Sequence, residues 1–205
     1  MQAHTKSELQ KITDYLLLKS PFIQDIGLFH GQMGIVLALY LYADKYQDKL
    51  LQEYAWELFL QVHEKIHTDM PVGLEYGLAG IGYATTLLYK HGLVDCDLND
   101  VLSAIDSKIM ERDPRRMTDM GLRTGAAGLI AYIRLRMTTR EPLTSFDNLY
   151  LSELRQVSAA SKIEAQPPSL LDLLNPPDFA IDEYVEKPWG IDQGSSYYIL
   201  ESVLS

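Results

Sequence analysis

The stretch Gly27-Leu28-Phe29-His30-Gly31-Gln32-Met33-Gly34-Ile35 occurs twice more along the chain in altered form. The second version is Gly73-Leu74-Glu75-Tyr76-Gly77-Leu78-Ala79-Gly80-Ile81, and the third is Gly121-Leu122-Arg123-Thr124-Gly125-Ala126-Ala127-Gly128-Leu129. Their common pattern is G-L-x-x-G-x-x-G-[IL], and they begin 46 and 48 residues apart, at positions 27, 73 and 121. Even spacing of this length is typical of arrays of helical hairpins, so the three matches indicate a repeat.

A weaker fourth copy, Gly190-Ile191-Asp192-Gln193-Gly194-Ser195-Ser196-Tyr197-Tyr198, has tyrosine in place of the third glycine. We call these segments the first, second, third and fourth motifs (27–35, 73–81, 121–129 and 190–198). Glycine lacks a Cβ, so the motif glycines are expected to allow positive φ and close approach between a loop and a neighbouring helix.

Two kinds of helical pattern alternate around the motifs. Before the second motif, apolar residues recur at intervals of three and four with polar residues between them, which predicts an amphipathic helix; they are Leu50, Leu51, Tyr54, Leu58, Val62 and Ile66. After the first and second motifs, 35–43 and 81–89 are apolar almost all round. A helix apolar on every side must be covered on every side, so the pattern predicts inner helices sheathed by an outer layer.

The pattern is interrupted between the third and fourth motifs. Residues 148–163 are predicted to form an outer helix, and 166–190 holds five of the nine prolines. That composition predicts an extended Pro-rich connector with at most a short helix over 169–174. Because the fourth motif follows it, the expected organisation is one domain over 1–205.

The composition excludes several classes of function. With a net charge of -10 and a pI near 4.9, nucleic acid and anionic membranes are not expected partners. The single cysteine, Cys96, excludes a disulfide framework and a cysteine-based metal cluster. No signal peptide is visible, and the longest apolar stretch, 33–43, is too short to span a bilayer. The expected location is the cytoplasm.

The residues at the third and fourth positions vary from motif to motif. If the hairpins form a ring, the loops that start the inner helices open at one end, and these side chains would line a shared concavity. The candidate ligand-binding residues are therefore Phe29, His30, Glu75, Tyr76, Arg123, Thr124, Asp192 and Gln193.

The glycine-rich repeat with its alternating helices resembles the lanthionine synthetase C-like (LanC-like) family, and 27–31 resembles the family's His-Gly motif. The resemblance implies an all-α fold, an α/α toroid, of which this chain would supply about four hairpins of seven. It also implies a role in maturation of ribosomal peptides, where the family uses zinc to activate a substrate thiol. By this analogy His30 is the candidate catalytic acid or base.

The chain departs from the family's zinc-binding pattern. The Trp-Cys-Gly and Cys-His-Gly elements are missing, since Cys96 follows Val94-Asp95 and Trp189-Gly190 lacks the intervening cysteine. We therefore expect an accessory or peptide-binding protein without intrinsic zinc-dependent cyclase activity and without a cofactor. Its expected partners are a precursor peptide and a homodimer mate or second subunit that completes the ring.

A rival motif, His63-Glu64-Lys65-Ile66-His67, has the H-E-x-x-H spacing of zinc hydrolases. On a helix, that spacing sets two imidazoles one turn apart on the metal with the glutamate as general base. Here Lys65 stands between the ligands and the predicted helix ends almost at once, so polar positions on an outer helix are the favoured interpretation. His63 and His67 are the candidate metal ligands under this alternative alone, which would require zinc.

Two further hypotheses concern charged residues. A carbohydrate-active toroid would need paired carboxylates about 5–10 Å apart, and Asp25, Glu75 and Asp192 are the candidates. The run 112–116 is predicted to be a solvated charged loop, with a role in gripping an acidic ligand as the alternative.

Overall fold

The computed structural model describes residues 4–67, 69–163 and 169–204. Every regular element in these ranges is helical, so the predicted all-α class is confirmed. The α-helices are α1 (Lys6–Lys19), α2 (Gln32–Tyr46), α3 (Lys49–Glu64), α4 (Leu78–Lys90), α5 (Leu98–Val101), α6 (Ser103–Met110), α7 (Ala126–Met137), α8 (Asn148–Ala160) and α9 (Ser196–Leu204). Short 3₁₀ turns occupy Ser20–Phe22, Pro114–Arg116, Leu171–Leu173 and Ile181–Glu183.

The chain divides into two compact units. The first unit comprises Met1–Ile66 with Ser169–Ser205 and contains α1, α2, α3 and α9; the second comprises His67–Pro168 and contains α4 to α8. A single toroid-like domain over 1–205 remains a prediction.

The first unit is built around α2, which packs against both α3 and α9. All residues of α2 from 32 to 43 are buried, as the apolar pattern predicts for an inner helix. The α1 helix begins with a capping box, in which the Thr5 hydroxyl accepts from the Glu8 N–H while the Glu8 carboxylate accepts from the Thr5 N–H. Its apolar face packs against α9.

The amphipathic pattern before the second motif forms α3, with Leu51, Leu58 and Val62 buried. Leu50, which the pattern placed on the same stripe, is 79% exposed. It lies in the first turn of α3, one residue from the buried Leu51, and adjacent helical residues point in directions 100° apart.

In the second unit, the inner helices α4 and α7 pack against each other, with α6 against α4 and α8 against α7. The segment before the third motif forms two short helices, α5 and α6, which are separated at Leu102. There the Ser103 hydroxyl donates to the Asp100 carbonyl at 2.8 Å, a local bond that competes with helical pairing.

The motif glycines are required for space and not for their backbone angles. Among the described residues, Gly92 is the only glycine with positive φ, so the motif glycines do not adopt it; in the fourth motif the residue with positive φ is Gln193, at 54°. A Cβ at the N-cap glycines Gly31 and Gly77 would come within 2.5 and 2.3 Å of backbone atoms. The expected close approach is thereby confirmed.

The predicted helix over 148–163 ends earlier, as α8 stops at Ala160. Lys162 adopts φ 54°, and the N–H groups of Lys162 and Ile163 donate to Ala159 and Ser158, which closes the helix in a Schellman motif. The predicted short helix over 169–174 is the 3₁₀ turn Leu171–Leu173. Positions 166–168 of the predicted connector lie outside the described residues.

Within the described residues, none of the helices combines the length and the apolar character needed to cross a bilayer.

Candidate functional site

In the second unit, the second and third motifs are joined backbone to backbone. The Arg123 carbonyl accepts hydrogen bonds from the N–H groups of Leu74 (2.8 Å) and Glu75 (2.9 Å). Gly73 lies so close to the third motif that a Cβ there would stand 2.9 Å from the Cα of Thr124. The loops that start α4 and α7 are therefore held together by the motifs themselves.

The first unit repeats this arrangement with the first and fourth motifs. The Phe29 carbonyl accepts from the N–H groups of Ile191 (2.9 Å) and Asp192 (3.1 Å). A Cβ on Gly190 would lie 2.3 Å from the Phe29 carbonyl oxygen and 2.7 Å from the Cα of His30. The fourth motif, although it lacks its third glycine, thus has the same partner geometry as the second.

One further bond recurs at all four helix starts. The N–H of the sixth motif residue donates to the carbonyl of the residue two before the motif. These pairs are Gln32 to Asp25 (2.8 Å), Leu78 to Pro71 (2.9 Å), Ala126 to Asp119 (2.9 Å) and Ser195 to Pro188 (2.8 Å). Each motif is therefore a closed loop that delivers its third and fourth side chains in the same way.

The predicted binding residues differ in exposure according to their motif position. The third-position residues Phe29, Glu75 and Asp192 are buried, and Arg123 is half-buried. At the fourth position, Tyr76, Thr124 and Gln193 are exposed and His30 is partly exposed. The ligand-binding role of the eight residues stays a prediction, and the fourth positions are the better placed for it.

Each motif pair brings an acidic and a basic side chain together. In the second unit, Arg123 donates from a terminal guanidinium nitrogen to Glu75 Oε1 at 2.6 Å. In the first unit, His30 Nε2 lies 3.8 Å from Asp192 Oδ2. Asp192 Oδ1 accepts from both the backbone N–H (2.7 Å) and the side-chain amide (3.1 Å) of Asn175, which fixes the carboxylate.

A cleft of about 660 Å³ opens in the second unit beside the paired motifs. This volume is within the usual range of binding sites for small ligands. Its walls combine apolar, hydroxyl-bearing and charged side chains, and Tyr76 and Thr124 are the predicted binding residues among them. The remaining lining residues are Pro71, Val72, Gly73, Gly77, Glu111, Arg112, Asp113, Arg116, Met117, Thr118, Asp119, Gly125, Ala126 and Leu129.

The carboxylate of Asp119 is built into the wall of this cleft. It accepts from the Thr124 hydroxyl (2.6 Å) and from the Gly121 N–H (2.7 Å). Both bonds favour the charged form, and they lower the pKa of Asp119 below its usual value. Asp119 therefore orients Thr124 toward the cleft as an ionised, internally bonded group.

The family model described as lanthionine synthetase C-like protein matches residues 3–149, well over half of the chain and including the first three motifs. The chain belongs to this family. A comparison with curated proteins gives no match. The fourth motif lies beyond the matched range, and its identical pairing geometry identifies it as a further copy.

The two-cysteine zinc elements that the resemblance implies are not present in the sequence of this LanC-like chain. Two thiolate ligands are implied by the resemblance, and the sequence has one cysteine. Burial raises the pKa of the Cys96 thiol, and the neighbouring carboxylates of Glu141 and Asp95 raise it further. Ligation of a metal by a Cys96 thiolate is therefore disfavoured.

The rival H-E-x-x-H motif does not lie on one helix. His63 and Glu64 form the end of α3, which stops at Glu64 before the motif is complete. The His63 ring packs on Phe59 with 4.4 Å between centroids, and burial lowers its pKa to about 4. His63 therefore behaves as a packed, neutral ring of the LanC-like chain.

The carboxylates considered for a glycosidase are each occupied by structural bonds. Asp25 Oδ1 accepts from the Gly27 N–H at 2.7 Å, Glu75 is paired with Arg123, and Asp192 holds Asn175. The carbohydrate-active alternative stays a prediction, and in it these carboxylates would have to act while keeping their structural bonds.

Sequence reasoning missed which motifs pair with one another. Two residues before each motif, aspartate precedes the first and third motifs and proline precedes the second and fourth, a pattern that excludes neither the observed pairing nor pairing of the first with the second. Each observed pair joins one of each kind. The contribution of 111–119 to a cleft, and of Asn175 to the first motif pair, had no comparable signal because both lie outside the repeat.

Proposed function

We propose that this LanC-like protein binds a peptide in ribosomal peptide maturation and acts as an accessory protein without intrinsic zinc-dependent cyclase activity. The observation that carries the proposal is the cleft of the second unit, into which the paired motifs present Tyr76 and Thr124. Family membership supplies the peptide context.

The chemistry of the cleft suits an extended peptide. Apolar side chains such as Val72 and Leu129 offer contact area for a peptide side chain, and the Thr118 and Thr124 hydroxyls offer hydrogen bonds to a peptide backbone. Tyr76, 46% exposed, combines a broad apolar ring with a polar tip. Such mixed surfaces favour peptides over uniformly polar ligands.

The absence of zinc-dependent activity is proposed from the thiol chemistry. Cys96 is the sole cysteine of the chain, and its raised pKa opposes formation of a thiolate. We accordingly propose that no metal cofactor is needed for peptide binding.

Fluorescence anisotropy with a panel of fluorescein-labelled dodecapeptides tests the proposal. Tyr76→Ala is expected to weaken the tightest peptide by about tenfold, since aromatic anchors dominate such contacts. Phe22→Ala is the matched control, because Phe22 is an exposed aromatic residue of the first unit that does not line the cleft. Failure of every peptide to bind, or equal binding by Tyr76→Ala and wild type, would refute the assignment; unchanged affinity in EDTA is expected.

A second candidate function is lanthionine-cyclase-like proton transfer at His30. It is favoured by the partly accessible imidazole, whose Nε2 lies 3.8 Å from the buried Asp192 carboxylate. His30 would take the proton of a peptide thiol as its sulfur adds to a dehydroamino acid, and would return a proton to the α-carbon. Loss of alkylatable thiol in a dehydrated, cysteine-containing peptide measures this step, and His30→Asn should abolish it.

The proposed setting follows from composition. We propose action in the cytoplasm, with a second copy or another subunit as a partner alongside the peptide. The net charge of -10 and the lone cysteine support this setting. Light scattering at several concentrations measures the oligomeric state, and a single monomer mass throughout would remove the homodimer.

A further inference from the structure

One side of the cleft is formed by a segment without regular structure, residues 117–120, which precedes the third motif. It follows the 3₁₀ turn Pro114–Arg116 and contains no turn or bend of its own. Met117 has an extended backbone, with φ -68° and ψ 122°. Met117, Thr118 and Asp119 all line the cleft. An unbent stretch of backbone therefore runs along the cleft.

Most main-chain polar groups of 117–120 have no hydrogen-bond partner among the described residues. The groups concerned are the N–H groups of Thr118, Asp119 and Met120 and the carbonyls of Met117, Thr118 and Met120. The Asp119 carbonyl differs, because it accepts from the Ala126 N–H at the start of α7, at 2.9 Å. Thr118 and Asp119 are exposed, so their free main-chain groups are accessible to a ligand.

The direction of the free groups follows from the extended backbone. Successive carbonyls of an extended segment point to opposite sides, and the N–H and carbonyl of one residue point to the same side. Since the Asp119 carbonyl points to α7, the N–H and carbonyl of Thr118 point away from it. Thr118 therefore offers a donor and an acceptor side by side, the arrangement through which residues of two antiparallel strands pair.

The part of the lining formed by Pro71 and Val72 has no residue with both main-chain groups free. Pro71 has no N–H, and the carbonyls of Pro71 and Val72 accept from the N–H groups of Leu78 (2.9 Å) and Ala79 (3.2 Å) in α4. No main-chain hydrogen bond joins 71–72 to 117–120 in the described part of the chain. The cleft therefore combines a side-chain surface at 71–72 with a main-chain edge at 117–120.

We propose that the cleft takes peptides in extended conformation, which add to 117–120 as a β-strand. One peptide residue exchanges both of its main-chain hydrogen bonds with Thr118, while Val72 and Tyr76 contact peptide side chains. Because main-chain bonds do not depend on side-chain identity, peptides of different sequence bind, provided that the paired residue keeps its N–H. This inference rests on the proposed peptide binding and adds the conformation of the peptide and the mode of its recognition.

N-methylation of single residues in the tightest labelled dodecapeptide of the anisotropy panel tests the pairing from the side of the peptide. Methylation at the paired residue should weaken binding by about tenfold, because one hydrogen bond is lost and the methyl group occupies its place. Methylation at either neighbouring residue should change the affinity less than about twofold, since those N–H groups point away from the edge. Equal affinity of all methylated peptides and the parent, or equal loss at three successive residues, would overturn the inference.

Thr118→Pro tests the pairing from the side of the protein, because proline removes the main-chain N–H. The backbone accommodates it, since ψ 122° at Met117 lies in the range that precedes proline. Thr118→Ala is the matched control, which also lacks the hydroxyl but keeps the N–H. Thr118→Pro should bind the parent peptide about fivefold more weakly than Thr118→Ala does. Equal affinity of the two variants would contradict the pairing.

The outcomes separate this inference from the proposed function. Peptide binding that is insensitive to N-methylation and to Thr118→Pro would overturn the strand pairing and leave peptide binding standing. Failure of every peptide of the panel to bind wild type would overturn both. Circular dichroism and urea midpoints compare the folding of Thr118→Pro with that of Thr118→Ala; if the proline variant unfolds, N-methylation measured on wild type decides.

Discussion

The two motif pairs share one backbone arrangement and differ in the side chains that it carries. In the first unit, the pair encloses the buried Asp192 beside the partly exposed His30; in the second, the more accessible Arg123–Glu75 ion pair stands near an open cleft. In each pair the acceptor is the carbonyl of the third residue of one motif, Phe29 in the first unit and Arg123 in the second. The comparison teaches that the glycines fix geometry while the third and fourth positions are free to diverge in chemistry.

The largest expected effect comes from adding a methyl group where the paired loops touch. Gly190→Ala should lower the free energy of unfolding by about 3 kcal/mol, because its Cβ would meet the Phe29 carbonyl at 2.3 Å. Gly73→Ala, with a nearest distance of 2.9 Å, should cost about 1–2 kcal/mol. Urea denaturation measures both.

Gly121→Ala is the matched control for these variants. It is also a first-position glycine, but its Cβ would meet only the movable Asp119 side chain. If Gly121→Ala lowered the free energy of unfolding as much as Gly190→Ala does, the requirement for glycine would come from the backbone of the loop and not from the contact between motifs.

A smaller effect is expected from removing the acids of the two pairs. Asp192→Ala leaves two polar groups of Asn175 without their acceptor and should cost about 2 kcal/mol. Glu75→Ala removes a partly exposed ion pair and should cost about 1 kcal/mol. Hydrogen exchange localises the change, since the Asn175 amide should lose protection in Asp192→Ala and keep it in Glu75→Ala.

The two units should also respond to pH in opposite directions. Burial lowers the pKa of His63 from 6.5 to about 4, so the first unit should lose about 1–2 kcal/mol as pH falls from 7 to 4, allowing for the partial exposure of the ring. His63→Leu should flatten this loss. Hydrogen exchange resolved by residue at pH 7 and pH 5 measures it, and an unchanged slope in His63→Leu would contradict the assignment.

In the second unit the corresponding buried group is Asp106. It accepts from the hydroxyls of Tyr132 and Ser145 at 2.5 Å each and lies 3.4 Å from Arg136. Burial raises its pKa, so its ionisation costs stability as pH rises from the unfolded pKa through the folded one. Arg136→Met should increase that loss of stability, because the buried Asp106 carboxylate would no longer have a neighbouring cation.

The smallest expected effect lies at the aspartate two residues before the motif. Asp119→Ala should lower the urea midpoint at pH 7, because it removes the acceptor of Gly121 and Thr124. Since the pKa of Asp119 is lowered, this contribution is present above the unfolded pKa and lost as pH falls through the folded one. The midpoints of wild type and variant should converge at pH values below the folded pKa of Asp119. Asp25→Ala tests the equivalent turn of the first unit.

The repeat period and the pattern of apolar residues were sufficient to predict the helical class and the inner and outer helices. Residues 32–43 of α2 are buried without exception, because an apolar surface on every side leaves no face for solvent. Helix ends were predicted less well. Lys162, for instance, closes α8 in the left-handed conformation, which cannot be predicted from a lysine in the sequence.

The sequence by itself determined the repeat, the helices and the candidate loop residues, since periodic burial and glycine spacing are local properties. Only the tertiary structure decided that the first motif pairs with the fourth and the second with the third. It alone also brought 111–119 beside the second and third motifs to form a cleft. Such contacts join residues far apart in the chain, and they depend on packing of whole helices, which no short stretch of sequence specifies.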